Sequence, residues 1–192
     1  DLESFLDELR LFRRDETLVA AIADLSGLWS FDTTAEYLSR LAEEVVDRAL
    51  ARAIEGRPED PIEGLAVVSL GKLGGREFTY YSDLDLIFLH GGSVDSLHTV
   101  SRCVQRFIAY VSTMTGAGTA YVVDARLRPS GQQGTLVASF AAFERYQCDT
   151  AALWEHLALV RGRAIAGDCQ TTNALLQRTR ELAFAQNDLP WH

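Results

Sequence analysis

Apolar residues recur along this chain with two periods, and the changes between them outline its elements. Leu2, Phe5, Leu6 and Leu9 have the spacing of one helix face. Ser26-Gly27-Leu28-Trp29-Ser30 interrupts. Thr33-Thr34-Ala35-Glu36 reads as a capping box opening a second helix, with Leu38, Leu41, Val45 and Ala49 on one face. Gly56-Arg57-Pro58-Glu59-Asp60-Pro61 ends that helix and forms a linker. Leu65 to Leu70 is then a short apolar run of strand character, and Ser82 to Leu89 is a second. The helical period returns from Leu97 to Met114, with Val104, Phe107, Ile108 and Val111 turned inward, and stops at Thr115-Gly116-Ala117-Gly118. A third strand is expected from Tyr121, ended by Pro129 and the polar turn Ser130 to Gly134. Phe140 to Tyr146, Thr150 to Arg163 and Asn173 to Ala185 read as helices, with Trp154 as the anchor that packs the middle one. The pattern predicts an α+β fold: a small mixed sheet preceded and followed by helices. Its expected divisions are a helical extension (1–60), a core (61–140) and closing helices (141–192).

Composition narrows the function classes. The 192 residues carry 18 basic and 27 acidic side chains, a net charge of −9, and 47% hydrophobic residues. That is length and apolar content enough for a core. The acidic balance argues against a nucleic-acid partner, which calls for a basic surface. No apolar run approaches a membrane span and no signal-peptide pattern occurs, so no membrane partner is expected. Cys103, Cys148 and Cys169 form no C-x-x-C pair and read as reduced thiols of a cytoplasmic protein. His90, His98, His156 and His192 lack zinc-ligand spacing, and His156 is expected to pack or hydrogen-bond. The chain begins at Asp1, as a piece cut from something longer would.

The candidate chemistry lies in the strands. Asp83 and Asp85 alternate with Leu84 and Leu86, so the two acids project from one face and the leucines from the other. Two such carboxylates repel, and burial adds to the cost; a hard cation such as Mg²⁺ relieves both. Two exposed charges at a strand end are the simpler alternative. Upstream, Gly71-Lys72-Leu73-Gly74-Gly75 combines backbone freedom with a point charge suited to phosphate. It is neither a Walker A loop nor G-x-G-x-x-G, and a tight connection between strands remains open. Downstream, Asp124, Arg126 and Arg128 are expected on one face of the third strand, either as a structural ion-pair ladder or as the third acid of a two-metal centre with its attendant cations.

Four segments together carry a resemblance. Gly71 to Glu77, Tyr81 to Leu86, Val123-Asp124-Ala125-Arg126-Leu127-Arg128-Pro129-Ser130-Gly131, and Trp154-Glu155-His156 with Ala158-Leu159-Val160-Arg161 resemble the glutamine synthetase adenylyltransferase/adenylyl-removing enzyme family, within the DNA-polymerase-β-like nucleotidyltransferases. The close match covers about Leu65 to Asp168. Leu157 and Gly162 depart from the usual Gln and Ala. The resemblance is greater to the C-terminal, adenylylating domain of that family. It implies AMP transfer from ATP to a tyrosine of glutamine synthetase, regulating nitrogen assimilation. It implies Asp83, Asp85 and Asp124 as catalytic residues and ligands of Mg²⁺ or Mn²⁺. Gly71, Lys72, Gly74, Gly75, Ser82, Arg126 and Arg128 are then nucleotide-binding residues, glutamine synthetase is the protein partner, and a nitrogen-signalling regulatory protein is a further one. Two rivals remain at this point: phosphorolytic removal of AMP on the same residues, and a non-catalytic nucleotide-binding regulatory module.

Overall fold

The computed structural model describes residues 1–55, 64–93 and 96–186. The expected linker at 56–61 and His192 lie outside them. Helices α1 (Leu2–Leu25) and α2 (Phe31–Ile54) come first. The second begins before the predicted capping box: Ser30 is its N-cap, and the Ser30 hydroxyl accepts from the Thr33 amide. Thr34, read as part of the cap, is instead buried in the first turn. Leu38, Leu41, Val45 and Ala49 are all buried, as their spacing requires.

The remaining elements are β1 (Leu65–Ser69), the four-residue helix α3 (Gly71–Gly74), β2 (Leu84–His90), α4 (Leu97–Ser112), β3 (Val123–Asp124), β4 (Val137–Ser139), α5 (Phe140–Asp149), α6 (Leu153–Val160), β5 (Arg163–Gly167) and α7 (Cys169–Gln186). The sheet runs β3-β2-β1-β5. β1 is antiparallel to both neighbours, whereas β3 and β4 pair parallel with β2. β3 meets the first residues of β2 and β4 meets its last three, on the edge away from β1.

Two of these strands correct the sequence reading. The stretch from Thr150 to Arg163 is not one helix; it is α6 followed by β5. Arg161 and Gly162 turn the chain, and Gly162 packs under Leu159 and Leu70 where a larger residue would crowd both. The predicted third strand is also shorter than expected. It stops at Asp124, because the Asp124 carboxylate accepts the Arg126 amide and folds the chain into a turn. Asp124, Arg126 and Arg128 therefore do not form a ladder on one strand face. The Arg128 guanidinium bends back to the Ala125 and Gly134 carbonyls inside that excursion. The chain regains the sheet edge as β4.

Both sheet faces are covered, which explains why β1 is buried at every position. Leu65, Val67, Leu84, Leu86 and Phe88 join α1, α2 and α4 in one core. Val68, Leu70, Ile87 and Leu89 join α5, α6 and α7 in a second. Asp85 shares the face of Ile87 and Leu89, and stands at the strand end before the second core begins. Trp154, expected as an anchor, is 58% exposed; α6 turns His156 and Leu159 inward instead. His156 is buried, with Nε2 within 2.8 Å of the Gln147 carbonyl and its ring edge-on to Phe184.

Arg10 was not visible as a core residue in the sequence, yet it is 1% exposed. Its guanidinium donates to the carbonyls of Leu6 (2.7 Å), Gly118 (2.8 Å), Tyr110 (3.1 Å) and Thr113, fastening α1 to the end of α4 and to the turn after it. Burial lowers its pKa, and those four carbonyls supply what water would otherwise give.

Candidate active site

The acids meet because of the parallel pairing of β2 and β3. Asp85 is the register partner of Asp124, and Leu84 of Val123. Adjacent strands lie about 4.8 Å apart, so the pairing sets two carboxyl groups side by side. Asp83 is exposed one residue before β2. Leu84 and Leu86, which alternate with the acids, are fully buried and fix the face that the acids occupy.

Electrostatics shows the crowding. The Asp85 carboxyl is pushed above the ordinary carboxylate range, first by burial and then by the charges of Asp124 and Asp83; Arg126 and Lys72 offset part of this. Asp124 is pushed the other way. Arg126 donates to both its carboxylate oxygens, the Nε bonds measuring 3.0 and 2.9 Å, and this holds Asp124 below the usual range against its own partial burial. Arg126 itself is exposed and its pKa is raised, mainly by Asp124.

The Gly/Lys turn is locked to the same place. Leu70, just ahead of α3, donates its amide to the Asp85 carbonyl at 2.8 Å. Gly71 has φ +54, and a Cβ there would overlap the Asp85 carboxylate, so glycine is needed on both counts. Lys72 is exposed within Coulombic range of Asp85. Gly74 packs against the Arg161 carbonyl and Gly75 against the Arg161 side chain. Arg163 donates to the carbonyls of Leu73 (3.0 Å) and Gly74 (3.3 Å) and pairs with Glu43 of α2, while Arg161 pairs with Glu77 at 2.6 Å. These two arginines hold the turn from the end of α6 and the start of β5. Sequence reasoning put both in a helix, so their part in positioning the turn was hidden with the strand. Ser82 closes a small loop, its hydroxyl 2.7 Å from the Thr79 hydroxyl and accepting the Thr79 amide at 3.1 Å. Arg128, expected beside the nucleotide, is tied into the turn that follows Asp124.

All-oxygen donors, two of them in register and one destabilised by its neighbours' charge, have the chemistry of a hard-cation site. Among the described residues no three acidic, His or Cys side chains converge on a single point. Arg126 occupies Asp124 and keeps it ionised. The oxygen donors of Asp83 and Asp85 are of a kind that suits a divalent cation, while the Asp124 carboxylate is taken up by Arg126.

Residues 1–178 match the family model for glutamate-ammonia ligase adenylyltransferase. The chain belongs to that family. Curated relatives described as bifunctional glutamine synthetase adenylyltransferase/adenylyl-removing enzymes agree. The protein of Thioalkalivibrio sulfidiphilus is 38% identical over 207 residues, covering 95% of this chain and 21% of the relative. That of Neisseria meningitidis serogroup A is 39% identical over 191 residues, covering 98% and 21%. That of Pseudomonas putida is 38% identical over 209 residues, covering 97% and 21%. The chain thus spans about a fifth of the length of these glutamine synthetase adenylyltransferases. No helix among the described residues is long and apolar enough to cross a membrane.

Proposed function

We propose that this chain is a nucleotidyltransferase unit that moves AMP from ATP to a tyrosine hydroxyl of glutamine synthetase. The observation that carries the reading is the register pairing of Asp85 with Asp124 beside Asp83 and the Gly71–Lys72 turn. Family membership supports it, and the relatives' names supply the acceptor.

Lys72 and the backbone of the turn bind the β- and γ-phosphates; amides in a first helical turn lack acceptors within the helix. Asp83 and Asp85 would hold Mg²⁺ or Mn²⁺, which when bound screens the phosphates and stabilises charge on the oxygens of an in-line displacement. Asp124 accepts the tyrosine proton as the phenolic oxygen attacks the α-phosphorus. The bond from the α-phosphorus to the bridging oxygen breaks, and pyrophosphate leaves with that electron pair. A tyrosine hydroxyl is mostly protonated at neutral pH, so a nearby carboxylate has work to do. Arg126, released from Asp124, is placed to meet phosphate charge. The same reading places the protein in the cytoplasm with its three cysteines reduced, and gives it a nitrogen-signalling protein as a regulatory partner.

The test incubates the chain with unmodified glutamine synthetase, labelled ATP and Mg²⁺, and in parallel with the adenylylated enzyme and phosphate. Label gained on tyrosine supports the reading. ADP released in the second tube, with no transfer in the first, would replace it with the phosphorolytic half-reaction.

A further inference from the structure

Two adjoining cavities lie near the acid cluster, and the smaller of them reaches Asp83. The smaller, about 200 Å³, is walled by Ser82, Asp83, Tyr121 and Val122 among others. The larger, about 480 Å³, runs along α1 past Leu18 to Leu25. Arg13, Tyr80 and Tyr81 line both, so the two form one groove. We propose that this groove is the acceptor subsite, along which a tyrosine-bearing segment of the protein substrate lies as its hydroxyl reaches the acids. The proposal rests on the nucleotidyl-transfer reading above.

Topology supplies the first argument. In-line displacement puts nucleophile and leaving group on opposite sides of the phosphorus. α3 follows β1, and the groove wall at Tyr121 and Val122 leads into β3. β1 and β3 flank β2 on opposite sides. With the leaving pyrophosphate at α3, the attacking hydroxyl comes from the β3 side, where the groove meets Asp83.

The wall chemistry supplies the second. Tyr81 is 98% exposed, an aromatic ring with no packing role in the fold. Arg13 is half-buried: its guanidinium lies 5.0 Å from the centre of the Tyr121 ring, interacts with the Tyr121 hydroxyl and makes a 3.4 Å bond to the Tyr80 carbonyl. It is a donor suited to a peptide carbonyl or an acidic side chain. The Tyr80 hydroxyl is already given to Asp24 at 2.9 Å, which fixes the groove's far wall. Two adjoining cavities with Leu18, Ala21 and Leu25 along one side, an exposed ring and a guanidinium in the shared wall suit an extended peptide segment better than a nucleoside. Arg13 and Tyr81 are positioning residues in this account.

The experiment compares wild type with Tyr81→Ala and Arg13→Gln in three measurements: binding of unmodified glutamine synthetase without nucleotide, equilibrium binding of ATP with Mg²⁺, and AMP transfer. Tyr81→Ala should weaken acceptor binding and raise the acceptor KM about tenfold, the effect of truncating an aromatic anchor. ATP affinity, kcat at saturating acceptor and melting temperature should stay unchanged. Arg13→Gln should act in the same sense. Weakened ATP binding with unchanged acceptor binding would assign the groove to the nucleotide and overturn the proposal. Unchanged values in all three measurements would overturn it as well. A wild-type chain that binds acceptor without transferring AMP would refute the transfer reading alone, because acceptor binding by the two variants still tests the groove. A wild type that neither binds nor transfers would refute both.

Discussion

Asp85 and Asp124 are register partners across the parallel pair β2–β3, and their surroundings push their ionisation in opposite directions. Arg126 grips Asp124 and holds it charged, while burial and the neighbouring acids drive Asp85 towards its neutral form. Pairs split in this way recur where carboxyl groups are kept for chemistry. Asp85 is thus a cost to the fold that a bound cation would remove.

The first prediction follows from that cost. Without divalent ions, Asp85→Asn should raise the melting temperature, because the amide keeps the shape and removes a charge that burial first, and then Asp124 and Asp83, disfavour. With Mg²⁺ and ATP the order should reverse. Wild type gains by linkage, about 2.7 kcal/mol at a hundredfold excess over Kd, whereas Asp83→Asn with Asp85→Asn gains nothing. For a chain of this size each kcal/mol moves the midpoint by roughly 2–4 °C. Equal shifts in both proteins would remove Asp83 and Asp85 from the metal site.

Asp124→Asn separates chemistry from structure. If Asp124 takes the tyrosine proton, the variant should bind ATP nearly as wild type does and lose transfer by about 10²-fold or more. Its melting temperature should fall only slightly, since Arg126 is 69% exposed at the side chain and water screens such a pair. A large fall in stability with the rate preserved would make the Asp124–Arg126 pair purely structural. Melting and transfer measured on the same samples decide between them.

Gly71→Ala and Gly74→Ala should fail differently. A Cβ at Gly71 meets the Asp85 carboxylate and also forces an alanine to φ +54. The acid can rotate away, so the protein should fold while metal-dependent ATP binding falls. A Cβ at Gly74 meets the backbone carbonyl of Arg161, which cannot move without displacing the start of β5. Gly74→Ala should therefore be the more destabilising of the two in a denaturant melt, whatever ligand is added.

Much of this was legible in the chain, and what was missed shares one cause. The central strands, the helix carrying Val104, Phe107 and Val111, and the acids at the strand ends are local patterns that burial enforces. β4 and β5 are not local. Val137–Ser139 is three residues long and gains strand form only by lying against β2; Arg163–Gly167 does so against β1, directly after a helix of matching polarity. The Asp124 turn likewise depends on one carboxylate choosing an amide two residues on over continuing the ladder. Trp154 was misplaced because a tryptophan on an amphipathic helix suits either face, and here His156 and Leu159 take the inner one.

The last prediction concerns the clamp between the first two helices. The Tyr37 hydroxyl of α2 donates to the Glu16 carboxylate of α1, and the Tyr37 ring lies tilted against Trp29 of the connecting turn, with 4.8 Å between ring centres. That hydrogen bond, with burial and the Glu16 charge, raises the Tyr37 pKa from 10.0 to about 12. The folded chain thus holds the phenolic proton more tightly than the unfolded chain does. Stability from this pair is fully present below about pH 10 and is lost as pH rises towards 12. Tyr37→Phe keeps the ring and removes the proton. At pH 8 the variant should be less stable by about 1 kcal/mol, the size of one hydrogen bond. Tyr80, Tyr121 and Tyr146 are also raised and will steepen the alkaline decline of both proteins. The gap between the two curves isolates Tyr37: it should close as pH rises from 10 to 12. A gap of constant size across that range, in urea melts run at each pH, would mean that the hydroxyl does not titrate against Glu16.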